Sequence, residues 1–219
     1  MSKYYIITLF LVFSFSFPNI LVKINDEHGR LRFSTGNLQN LKSINESEIR
    51  NYLKKIKDLL GNDDVHLFPL NNYKKGMNNT KHFSFQQTYN GIPVFGRYIR
   101  VHAHLNMITS LSSNIENVDF STIPIITENG AVNIITQNYF FNSLYTKYQK
   151  LQIYINNDIP HLVHTIDAVK FDDSWQYFVD AHTGNIIDKF PLVYDEGPVI
   201  GNGINLLNEF IDTLHVYNG

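Results

Sequence analysis

The sequence predicts an α+β protein of two modules, each with one main helix packed on an antiparallel sheet. Three observations carry this. Ile49, Leu53, Ile56, Leu59 and Leu60 recur at three- and four-residue spacing, which predicts an amphipathic helix over residues 46–60. Val132, Ile135, Tyr139 and Leu144 or Tyr145 give a second helical stripe over 128–148. Each stripe is followed by segments that alternate with a period of two, the strand signature. The strongest runs from 92 to 105. There Ile99, Val101, Ala103 and Leu105 face one way, and Tyr98, Arg100, His102 and His104 face the other, as in a strand with one wet face. A helix followed by an antiparallel meander is a cystatin-like arrangement.

The elements follow in order. Residues 20–42 alternate weakly through Ile20, Val22 and Ile24, then Leu31 and Phe33, and read as one or two irregular edge strands broken at Gly29 and Gly36. Asn45 can cap the first helix, with Glu48 three residues on as in a capping box, and Gly61 ends it. Strands are expected at 64–70, 82–89, 92–105 and 108–115. Asn90-Gly91 forms a two-residue turn, because both positions of a type I′ turn need positive φ. Asn106-Met107 is the next expected turn. Residues 116–127 have no period and contain Pro124, which places the module boundary there. Thr127 caps the second helix. Strands at 151–156, 161–169, 174–180 and 185–190 complete the second module, the last two joined by a turn at Asp180-Ala-His-Thr-Gly184.

Composition narrows the function. The chain has 219 residues, is 43% hydrophobic and carries 16 Phe, 13 Tyr and one Trp, enough for packed cores rather than disorder. A net charge of −2 with no basic run argues against nucleic acid. The absence of cysteine removes disulfides, thiolate metal sites and thiol nucleophiles. At the N-terminus, Lys3 precedes an apolar run from Ile6 to Phe13, and Ser14 and Ser16 stand at the −3 and −1 positions of a cleavage site before Phe17. This reads as a signal peptide over residues 1–16 and a secreted chain. The run is short of the ~20 residues of a membrane span.

Two motifs point to a family. The stretch from His82 to Arg97 contains Phe85, Gln87, Tyr89, Gly91, Pro93, Val94 and Gly96 at the spacing F-x-Q-x-Y-x-G-I-P-V-F-G. It resembles the core of the FTP domain, the first half of the propeptide of fungalysin- and thermolysin-like zinc metalloproteases. Downstream, Trp175, Phe178, Asp180 and Gly184 stand in Trp-Gln-Tyr-Phe-Val-Asp-Ala-His-Thr-Gly-Asn-Ile-Ile-Asp-Lys, which resembles the closing hairpin of a PepSY domain. The glycine-rich segment from Gly197 and the Asp212–Tyr217 stretch look like the opening of a thermolysin-like catalytic domain. The resemblance implies an FTP-like module over 20–120, a PepSY-like module over 125–190, and a processing junction plus catalytic-domain stub over 191–219. It also implies an inhibitory and folding-assisting role, with the catalytic domain of a thermolysin-like protease as partner, in cis or in trans. Leu192, Val193 and Ile200 offer the bulky apolar side chains such enzymes favour beside a scissile bond, in a junction that Pro191, Gly197, Pro198, Gly201 and Gly203 are expected to keep irregular.

Catalytic chemistry is not expected in these residues. Zinc hydrolysis by such enzymes needs two histidines at i and i+4 with a glutamate between them, and no His-Glu-x-x-His occurs. His102 and His104 share a strand face without a nearby carboxylate, so no metal, cofactor or catalytic residue is assigned. Asp172, Asp173 and Asp180 read as loop and turn residues, which Asp favours for its backbone hydrogen bonds. Asn45 and Asn78 begin formal glycosylation sequons. Two other readings stay open: a fragment of a secreted zinc metalloendopeptidase, and a secreted or surface binding module unrelated to proteases.

Overall fold

The computed structural model describes residues 20–61, 66–138, 145–169, 174–192, 198–204 and 210–217. The signal segment, with Ser14, Ser16 and Phe17, lies outside them, as does Val193. Strands β1 (Ile20–Asn25) and β2 (Leu31–Asn40) lead into helices α1 (Glu46–Lys55) and α2 (Lys57–Leu60). Strands β3 (His66–Leu67), β4 (Leu70–Lys75), β5 (Lys81–Tyr89), β6 (Ile92–His104) and β7 (Met107–Ser113) follow. Helix α3 (Glu128–Asn138) precedes β8 (Tyr145–Asn156), β9 (Ile159–Val169), β10 (Ser174–Asp180) and β11 (Ile186–Pro191). Strands β12 (Pro198–Ile204) and β13 (Phe210–Tyr217) pair with each other in a separate two-stranded sheet.

The expected two helix-on-sheet modules are corrected by the strand pairing. One mixed sheet of 11 strands runs β1-β2-β7-β6-β8-β9-β10-β11, with β5 beside β6 and with β3 and β4 beside β5. The protein is mostly β. The link the sequence does not disclose is a parallel pairing of β6 with β8, at Val94 and Ile153. Parallel contact needs no short turn, so it leaves no local signature.

The chain divides into two units, and the division is not a single cut. The first contains Phe68–Gln86 and Arg97–Asn117 together with residues 20–61; the second contains Gln87–Gly96 and the described residues from 118 onward. Strands β5 and β6 therefore contribute to both. Gly96, the last residue of the second unit's share of β6, has a φ of +68°. A Cβ there would meet nothing within 4 Å, so conformation rather than space favours glycine.

In the first unit, Ile49 and Tyr52 from α1 and Leu60 from α2 pack on Phe83, Phe85, Ile99, Val101 and Leu111 of the sheet. The Asn45 cap is present: its Oδ1 accepts from the Glu48 amide at 2.9 Å. The expected helix over 46–60 breaks at Ile56, where φ is −106° and ψ is 13°, and Gly61 closes α2 in the left-handed conformation. The β6–β7 turn falls at Leu105-Asn106, one residue before the expected place, with both φ values positive.

In the second unit, Ala131 and Ile135 of α3 pack with Ile166, Ala168, Tyr177 and Val179. The Gly130 amide donates to the Thr127 hydroxyl at 3.1 Å, as the cap predicts. The helix expected to reach residue 148 is described only to Asn138. Tyr145, Thr146 and Tyr148 instead lie in β8, paired with Val169, Ala168 and Ile166 of β9. Aromatic and β-branched residues fit a pleated surface, and a partner strand overrides a helical spacing of apolar residues.

Asn90 and Gly91 have φ of +50° and +79°, as the hairpin turn requires, and Gly184 has +79°. A Cβ at Gly91 meets open space, whereas at Gly184 it would stand 3.0 Å from Ile134 Cδ1. Gly91→Val should therefore cost the backbone strain alone, roughly 1–3 kcal/mol, and Gly184→Val should cost more because a packing clash is added. Urea unfolding of both variants checks the order. Equal stability to wild type in both would disprove the turn assignment.

Candidate functional site

The FTP-like motif residues are architectural. Phe85 is fully buried in the first unit's core, and Tyr89 and Val94 are buried in a second-unit core with Val118, Ile153, Leu162 and Ala181. Tyr89 also stacks on Phe120, with centroids 6.5 Å apart. Gln87 is buried, Pro93 is half-buried, and Gly91 and Gly96 supply the turn and the irregular strand conformation. The motif thus specifies which side chains the β5–β6 hairpin buries and where its backbone bends.

The downstream motif behaves the same way. Phe178 is fully buried and meets Phe95, Tyr154 and Phe190 at centroid distances of 5.0, 4.7 and 5.3 Å. The Trp175 ring lies 4.0 Å beneath the Lys189 ammonium. Burial and then the hydrogen bond and charge of Asp188 push the Tyr154 phenol up to about 12.

Asp180, also in this motif, closes the β10–β11 turn. One carboxylate oxygen accepts from the His182 and Thr183 amides at 2.9 and 2.8 Å, and the other meets His161 Nδ1 at 2.9 Å. Burial pushes its pKa upward, but the hydrogen bonds from His161, Thr183 and His182 outweigh it and hold the carboxyl below its ordinary 3.8. These contacts make Asp180 a turn-forming aspartate.

Leu192 is exposed, and its amide donates to the Ser174 carbonyl at 2.8 Å. Ile200 lies in β12 opposite His215. The expectation that Pro198, Gly201 and Gly203 exclude regular structure is thereby corrected. Proline is tolerated at the first residue of a strand, and the register slips between Gly201 and Gly203, where a bulge accommodates glycine.

Polar chemistry gathers on the exposed face of β4, β5 and β6. A groove there is lined by Asn72, Lys74, His82, Ser84, Arg100 and His102, among others. The alternation of β6 predicts the exposure of Arg100 and His102. It does not predict that His82, 20 positions earlier, meets His102 with the two Nδ1 atoms in direct contact. The polar alternation of His82 and Ser84 against Phe83 and Phe85 is the only sequence signal for this. Burial first, then His82 and Arg100, lower the pKa of His102. Among the described residues no group of three or more His, Asp or Glu side chains could hold a metal ion, and no helix is long and apolar enough to cross a membrane. His164 is buried, its Nε2 2.7 Å from the Ile126 carbonyl.

Comparison with known proteins bears on these hairpins directly. Residues 69–115, which span β4 to β7, match the family described as the Fungalysin/Thermolysin Propeptide Motif. The chain is 29% identical over 171 residues to a bacillolysin of Brevibacillus brevis, a match covering 70% of this chain and 32% of the relative. It therefore spans about a third of the length of the curated relative it matches. A solved structure, the C-terminal domain of YpeB from Bacillus megaterium, aligns over 75% of this chain and 73% of its own at 16% identity, with a TM-score of 0.37. The motif match and the bacillolysin similarity support a thermolysin-like propeptide.

Because the folded-state pKa of Asp180 is lowered, its contribution is full above the ordinary carboxylate range and is lost as pH falls through the folded value. Asp180→Asn should destabilise the chain by roughly 1–3 kcal/mol near neutrality, the scale of hydrogen bonds to a charged group. The gap from wild type should close in acid. Urea midpoints at neutral and acid pH decide it, and a gap that widens in acid would contradict the assignment.

Proposed function

We propose that this chain is the secreted propeptide region of a thermolysin-like metalloprotease, inhibiting the catalytic domain and assisting its folding. The match of residues 69–115 to the propeptide motif carries the reading, and the bacillolysin similarity extends it over most of the chain. The structure is consistent in kind. The motif residues build the β5–β6 hairpin, and a pre-formed sheet can present edges and faces to an extended-substrate cleft. Such a role needs shape and hydrogen bonding rather than a catalytic constellation, so the chain acts as a ligand of the protease and not as a hydrolase. Residues 125–190 act as the PepSY-like half of the propeptide. The segment around Leu192, Val193 and Ile200 is the processing junction, and residues 1–16 direct export.

The full chain, shown to be folded, is added to a mature thermolysin-like protease and peptide hydrolysis is followed. Inhibition at about micromolar concentration or below is expected. Its absence would defeat the propeptide reading and favour a binding module unrelated to proteases. Mass spectrometry of the same mixture tests the junction. The first cut should fall between Phe190 and Gly203, and initial cleavage inside β5 or β6 would reject the assignment.

A further inference from the structure

The groove on β4, β5 and β6 of the first unit has a volume of about 350 Å³. Strand pairing sets Lys74 opposite His82 and Asn72 opposite Ser84. His82 then meets His102 edge to face, with ring centroids 4.7 Å apart at 73°. Arg100 lies two residues before His102 on the same face of β6, its guanidinium 4.9 Å over the Tyr98 ring. Three adjacent strands thus bring two permanent cations and two histidines into one groove, and among the described residues no aspartate or glutamate lines it.

The other groups facing the pair do not compensate this charge. Lys74 faces it from β4, and Tyr98, Arg100 and His104 share the face of β6. From β7, the residue opposite His102 is Ser110. The ring of His82 is also seated. Its Nε2 lies 2.6 Å from where a Cβ on Gly76 would stand, so a side chain at that position would displace the imidazole. With the two Nδ1 atoms in contact, one of the two nitrogens is the acceptor. Protonating both beside Lys74 and Arg100 is unfavourable unless a negative charge enters.

We propose that this groove is an oxyanion-binding site, for a phosphate-, sulfate- or carboxylate-bearing ligand, and that its affinity rises as the pH falls. The lysine, the arginine, the amide of Asn72 and the hydroxyl of Ser84 supply donors suited to oxygen acceptors. Binding and protonation are reciprocal: an anion that prefers the doubly protonated pair raises the histidine pKa values, and protons tighten the anion to the same extent. The site stands independently of the propeptide reading, since a chain that inhibits no protease would still bind the anion.

Sulfate and glutarate serve as separate probes: sulfate keeps its charge across the histidine range, and glutarate affinities are expressed per dianion because its second carboxyl begins to protonate as the pH falls to about 6. Each is titrated into the full chain at constant ionic strength with chloride as the balance, and the histidine ring resonances are followed by NMR. Saturable shifts of His82 and His102 are expected, with affinity at about pH 6 at least about fivefold tighter than at about pH 8. Tighter sulfate binding marks a tetrahedral-anion site and tighter glutarate binding a carboxylate site, and either supports the proposal. Arg100→Gln should weaken binding about tenfold, and exposure of this side chain means the fold is retained. On the unmodified chain, a saturating anion should raise the titration midpoints of both histidines. Shifts that stay linear and match those of chloride, or midpoints that do not move, would overturn the site.

Discussion

The β5–β6 hairpin is the constraint on which the rest of the structure depends. Its two strands are joined by two residues, Asn90 and Gly91, and that turn fixes which side chains face the core. Near their far ends the strands bury Phe83, Phe85, Ile99 and Val101 in the first unit. Near the turn they bury Tyr89 and Val94 in the second. A slip of one residue would move every one of these side chains to the opposite face, so one local turn sets the register for two cores.

This arrangement explains why a motif can be specific without containing chemistry. Phe85, Gln87, Tyr89, Val94, Gly91 and Gly96 each answer a burial or backbone requirement of the hairpin. The downstream motif does the same through Phe178, Asp180 and Gly184. Neither motif supplies a nucleophile or a ligand set. The match to a propeptide motif is therefore a match to a way of building a sheet.

The polar face is governed by different physics. Residues that alternate with the core positions are free of packing demands, so their chemistry is set by what neighbouring strands place beside them. Lys74, His82, Arg100 and His102 are separated in the sequence but adjacent across β4, β5 and β6. Among the described residues, no acidic side chain in the groove compensates their mutual repulsion. Positive charge collected without a counter-charge is a feature of anion sites.

By itself the sequence determined the features whose causes lie within a few residues. Asn45 and Thr127 cap their helices because a side-chain oxygen reaches an amide three residues on. Asn90-Gly91 and Gly184 turn the chain because glycine and asparagine tolerate positive φ. The inward and outward faces of β6 follow from its alternation. The tertiary structure alone decided the rest. The parallel pairing of β6 with β8 merges the expected modules into one mixed sheet, and the residues from Tyr145 to Tyr148 become strand because β9 offers them a partner. The contact of His82 with His102 likewise exists only once β5 and β6 are paired. These outcomes depend on hydrogen bonds and ring contacts between residues distant in the chain, whose energies no local pattern contains.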